Sequence, residues 1–136
     1  MNIIGIHGSL KELDPGAIHF PNDYKRMDEH DSGATLFVDG KHIRSIDEER
    51  LSKRKYDGRF PYKSIDYCLG DLTKEDVDIV CYTPSGCDEC NRQLIHKLAS
   101  KRLRGLFPNA KVWFVGHHLA HAASAVFTAP FNSGSF

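Results

Sequence analysis

Asp39-Gly40 lies between two runs that read as strands, Ala34-Thr35-Leu36-Phe37-Val38 and Lys41-His42-Ile43-Arg44-Ser45-Ile46. A two-residue type I′ turn needs positive φ at both central residues, and Asp-Gly is among the few pairs that adopt it at low cost. The chain must double back here, which fixes an antiparallel hairpin near the start of the fold. Asn2 to Ile6 reads as a short apolar strand ahead of it. Beyond the hairpin, helices and strands alternate. Pro61 opens a helix with Ile65, Leu69 and Leu72 as its core-facing stripe, and Asp78 to Tyr82 is a buried type of strand. A longer helix runs from Asn91 to Phe107, Lys111 to Val115 is the last strand, and a final helix covers His118 to Phe127 before Pro130. Three consecutive strands followed by two βα crossovers give an α/β fold. Its mixed sheet has about five strands, the first three antiparallel and the others parallel, with flanking helices.

A chain of 136 residues can bury one real core, so residues 1–136 are read as a single domain. Eighteen basic residues balance eighteen acidic ones, which leaves no electrostatic footprint for nucleic acid or an anionic membrane. The start has no basic segment followed by a long apolar run, and no stretch is apolar enough to span a bilayer. A cytoplasmic protein is the expectation. Residues 8 to 31, with Gly8, Pro15, Gly16 and Pro21 and no sustained periodicity, read as a long loop. The charge-dense run from Asp47 to Arg59 reads as a solvated connection. Cys87-Asp88-Glu89-Cys90 has a CxxC spacing, but a structural zinc site needs a second pair, and the acidic residues between the thiols oppose thiolate formation. It is read as a polar loop.

The chemistry concentrates at His117-His118-Leu119-Ala120-His121, directly after the last strand. On a helix His117 and His121 are spaced i,i+4 and project from one face, as two metal ligands must. Further donors must come from elsewhere, since protein-held metals want more than two. The competing reading is a solvated, polar helix start. Position favours a site, because in open α/β sheets ligands bind beyond the carboxyl ends of the parallel strands.

Several segments then coincide. They are His30-Asp31-Ser32-Gly33-Ala34, Val38-Asp39-Gly40, the run from Asp47-Glu48-Glu49-Arg50 through Lys53-Arg54-Lys55-Tyr56-Asp57-Gly58, Phe60-Pro61, and His117 to Ala125 followed by Pro130-Phe131. Together they resemble the amino-terminal end of the O-carbamoyltransferases, which carbamoylate antibiotics and nodulation factors. The resemblance covers nearly the whole chain except residues 8–29, which it marks as an inserted loop, and the Cys87 loop.

The resemblance implies the first lobe of an actin/sugar-kinase-like (ribonuclease H-like) domain, similar to that of threonylcarbamoyl-tRNA enzymes. It implies carbamoyl phosphate and ATP as substrates, a carbamoyladenylate formed in a separate carboxy-terminal domain, and transfer to the hydroxyl of a small-molecule acceptor. His117 and His121 would hold a divalent metal of the Fe, Zn or Mg class against the nucleotide phosphates, and His30 and Lys55 would line the transfer site. The chemistry asks for such groups: a base near neutral pKa for the hydroxyl proton, and positive charge where the carbonyl oxygen becomes anionic. Family members are much longer, so the expectation is an amino-terminal portion that is inactive alone. The alternatives are one subunit of a split enzyme completed by a carboxy-terminal partner chain, or a non-catalytic metal- or nucleotide-binding module. Tight metal binding by the isolated chain would mean that Cys87, Cys90 or His7 supplies further ligands.

Overall fold

The hairpin turn forms as its sequence demands: Asp39 and Gly40 sit at φ 50° and 77°, and Val38 pairs with Lys41 across it. It joins β2 (Gly33–Val38) to β3 (Lys41–Asp47) in a computed structural model that describes residues 1–9, 31–84 and 92–128. β1 (Asn2–Gly8) lies at the centre of the sheet, antiparallel to β2 and parallel to β4 (Ile79–Pro84), which in turn runs parallel to β5 (Lys111–Phe114). The five-stranded order is β3-β2-β1-β4-β5. These are the strand number and directions read from the sequence.

Alternation along β1 separates two faces. Ile4 and Ile6 are buried and pair in register with Leu36 and Ala34 on β2 and with Val80 and Tyr82 on β4, so all six occupy one face. That face carries the core. α2 (Tyr62–Leu69) adds Ile65, Cys68 and Leu69, while α3 (Arg92–Leu106) and the residue just after it add Ala99, Leu103 and Phe107. Each such side chain, fully withdrawn from water, contributes about 1.5–3 kcal/mol before entropy opposes it. The opposite face presents Gly5, His7, Thr35, Cys81 and Thr83, and it is there that α4 (His117–Thr128) lies against β4.

Two sequence expectations need correction. The helix opened by Pro61 ends at Leu69 and does not reach Leu72, because Gly70 turns the chain at φ 59° and its N–H closes on the Asp66 carbonyl. The charged run after β3 is not merely solvated. Glu48–Ser52 forms a short helix, α1, whose first residue buries its carboxylate against the start of α2: Glu48 accepts from the Ser64 N–H at 2.8 Å, the Ser64 hydroxyl at 2.7 Å and the Lys63 N–H at 3.3 Å. Asp57 is buried as well, and the Arg59 guanidinium donates to it twice, at 2.8 and 2.6 Å. Successive carbonyls then tie down two strand ends. Asp57 accepts from the Ser32 N–H and hydroxyl at 2.9 and 2.8 Å, and Gly58 accepts from the Ser9 N–H at 2.9 Å. A charged run looks solvated when its partners are distant in sequence, as Ser64 is from Glu48.

Candidate metal and ligand site

The parallel strands β1, β4 and β5 end on one side of the sheet, and the chain turns there into α4. The Val115 N–H donates to the Tyr82 carbonyl at 3.0 Å, which holds the exit of β5 beside β4. The Ala120 N–H reaches back to Gly116 at 2.9 Å and closes the first turn of α4. His117 is therefore the first helical residue and His121 lies one turn further along the same face.

Their two Nε2 atoms converge to 3.0 Å, with ring centroids 4.5 Å apart and planes at 83°. Without a cation, one ring donates Nε2–H and the other accepts. With one, the two Nε2 atoms, 3.0 Å apart, would be the nitrogens that hold it. The pair fits a cation that imidazole favours, of the Zn, Fe or Ni class. Among the described residues no group of three His, Cys, Asp or Glu side chains converges on one point, so the pair is two ligands of a site and not all of it.

His121 also borders a cleft of about 600 Å³. Gly5 gives it a flat floor; a Cβ there would come within 2.8 Å of Thr35 Cγ2, so the position is held to glycine by its neighbour. His7, Thr83, Asp31 and Asp47 line it, together with Ala120 and Ser124 of α4. Among the described residues two carboxylates and no Lys or Arg line this cleft. It is a poor host for a bare phosphate and a good one for a phosphate that arrives with a cation.

The other sequence-selected residues divide. Lys55 is exposed on the loop after α1, with its ammonium 5.0 Å over the Tyr56 ring, and it does not line the cleft. His30, Cys87 and Cys90 lie outside the described residues. Asp31, which follows His30, does line the cleft, in a left-handed conformation at φ 59°. Sequence reasoning gave Asp47, Cys81 and Thr83 no place in a site. Cys81 and Thr83 share strand parity, two residues apart on the face opposite the buried Val80 and Tyr82, and that parity was the available signal. Cys81 is half-buried, and burial pushes its thiol pKa up, so it is a poor nucleophile.

Residues 25–102 match the family described as "Carbamoyltransferase N-terminus". The chain is 31% identical to the nodulation protein NolNO of Sinorhizobium fredii over 92% of its own length and 21% of that protein. An uncharacterized Synechocystis sp. protein is 28% identical over 78% of this chain and 23% of its own, and an uncharacterized 19.2 kDa Rhizobium etli protein is 29% identical over 60% and 47%. The chain thus spans about a fifth of the first two relatives and about half of the third.

Proposed function

This chain belongs to the carbamoyltransferase N-terminus family, and from that premise we propose that it handles the transfer of a carbamoyl group from carbamoyladenylate to an acceptor hydroxyl. In this reading the adenylate is made from carbamoyl phosphate and ATP in a separate carboxy-terminal domain. The acceptor oxygen attacks the carbamoyl carbon, a new C–O bond forms, the C–O bond to the adenylate phosphate breaks, and the hydroxyl proton passes to a base. His30 is the base assigned by the family motif; Lys55, which the same motif assigns to the charge developing on the carbonyl oxygen, does not line the cleft. His117 and His121 would hold a divalent cation, and its charge would neutralise that of the phosphate and make adenylate a better leaving group. Asp31 and Asp47 repel phosphate that comes without that cation, so nucleotide entry is tied to metal loading. Gly5 and Thr83 hold the cleft floor open for the ligand.

The observation that carries the reading is the 3.0 Å convergence of the His117 and His121 Nε2 atoms at the carboxyl ends of the parallel strands. It is tested by following the histidine ring ¹⁵N resonances of the chain as Zn²⁺ and then ATP are added. Zn²⁺ should shift both Nε2 signals. ATP should then perturb residues of the cleft, and should do so far more weakly in the absence of metal. His121→Ala should remove both responses. A Zn²⁺-loaded chain whose cleft residues do not respond to ATP overturns the reading.

A further inference from the structure

His7 occupies the next-to-last position of β1, and the parallel register sets it beside Thr83 of β4. Its Nδ1 lies 3.0 Å from the Thr83 carbonyl oxygen. A carbonyl only accepts, so Nδ1 carries the hydrogen, and in the neutral ring Nε2 is left with its lone pair. Nε2 has no hydrogen-bond partner among the described residues. Tying Nδ1–H to a backbone carbonyl is how proteins fix an imidazole so that Nε2 faces a ligand. His7 and His121 border the same cleft, and the His7 ring lies 5.8 Å from that of His117, tilted by 43°.

The spacing distinguishes two roles. His117 and His121, whose nitrogens can share one ion, have ring centroids 4.5 Å apart, against 5.8 Å from His7 to His117. Three such side chains do not converge on one point among the described residues. His7 therefore stands beside the pair and not in it, as a partner for an oxygen that the ion would carry.

We propose that His7 is an outer partner of the cation held by His117 and His121: its Nε2 accepts a hydrogen bond from a water that is a ligand of that cation. This rests on the metal reading above. It gives that water a fixed direction in the cleft, with the Thr83 carbonyl holding the ring that holds the water. His7 is thus a positioning group for the ion.

The test uses the chain with Zn²⁺ alone, at one neutral pH, with affinity measured by competition against a chromophoric chelator. His121→Ala should abolish binding. His7→Ala should weaken it about 10- to 100-fold, the usual effect of losing an outer partner. His7→Gln should recover most of the loss, because its amide oxygen can accept the same hydrogen bond, which a merely space-filling role would not reproduce. His42→Ala, on exposed β3, should change nothing. In the wild-type chain, which needs no variant to fold, long-range ¹H–¹⁵N spectra should show His7 in the Nδ1–H form. Its Nε2 should shift on Zn²⁺ addition by less than those of His117 and His121. Wild-type affinity in His7→Ala, with binding lost in His121→Ala, overturns the role of His7 and leaves the metal pair standing. A His7 Nε2 shift as large as that of His117 makes it a direct ligand and overturns the outer role. Absence of Zn²⁺ binding by the wild-type chain removes the metal reading and this proposal together.

Discussion

Glu48 joins α1 to α2 through a carboxylate that is 4% exposed, and its removal should cost the fold more than any surface charge could. The N-cap position of α2 is Pro61, with no side-chain cap of its own. Glu48 caps that helix from outside: Oε2 takes both short bonds, from the Ser64 N–H at 2.8 Å and the Ser64 hydroxyl at 2.7 Å, and Oε1 takes the weak one from the Lys63 N–H at 3.3 Å. Ser64 is itself fully buried, so Glu48→Ala strands its hydroxyl and amide without water. Two hydrogen bonds to a charged acceptor are worth about 1.5–3 kcal/mol each. The desolvation that the carboxylate no longer suffers offsets part of this, which leaves a net loss of about 3 kcal/mol. Glu48→Gln should cost only about 1 kcal/mol, because one amide oxygen can replace Oε2 for both short bonds and only the long contact meets an NH₂ group. At about 4 °C per kcal/mol for a domain of this size, the two variants should melt about 12 and 4 °C below wild type. Urea titration by circular dichroism at neutral pH, with an unchanged slope, measures both. The reasoning fails if Glu48→Ala stays within about 0.5 kcal/mol of wild type, or if Gln is as damaging as Ala.

Two other predictions concern the same corner of the fold. The Arg59 guanidinium holds the Asp57 carboxyl well below the usual carboxylate range, so the folded state prefers the ionised form more strongly than the unfolded chain does. Its stabilisation is full above the unfolded value near 4 and is lost as pH falls through the lower folded value. Asp57→Asn should therefore be less stable than wild type at pH 7, with the gap narrowing below about pH 4 in urea titrations; a gap independent of pH would refute the assignment. Gly8→Ala should lose at least about 2 kcal/mol, since its Cβ would lie 2.9 Å from both the Arg59 carbonyl oxygen and Pro61 Cδ. Because Gly8 follows His7 directly, the same variant should also weaken Zn²⁺ binding. Wild-type stability and affinity would show that the junction yields.

What could be read from the sequence was what is decided locally. Asp39-Gly40 dictated its turn through two positive φ angles, and His117 and His121 met because one helical turn brings them together. The strands β4 and β5 announced themselves as short apolar runs. Long-range pairing was not legible. His7 meets Thr83 across 76 residues, and only the parallel register of β1 and β4 reveals that its ring is tied back and its Nε2 left facing the cleft. Glu48 looked like any other charge in a charged run until Ser64, sixteen residues on, supplied its partner. The stripe of Ile65, Leu69 and Leu72 kept its helical spacing one step past the point where Gly70 ended the helix.

Ser9 and Ser32 are hydrogen-bonded to neighbouring carbonyls, those of Gly58 and Asp57. The chain thus leaves the end of β1 and re-enters at β2 through one fixed doorway, whose jambs belong to a different part of the sequence. Closing a flexible loop costs only about 0.6 kcal/mol more for each doubling of its length. Evolution can lengthen or shorten the stretch between these two serines almost without thermodynamic penalty, while the strands on either side keep their register. The doorway opens beside the cleft that Asp31 borders. A protein built this way can trial new sequence between the two serines while the sheet and its junction with Asp57 and Gly58 are left unaltered.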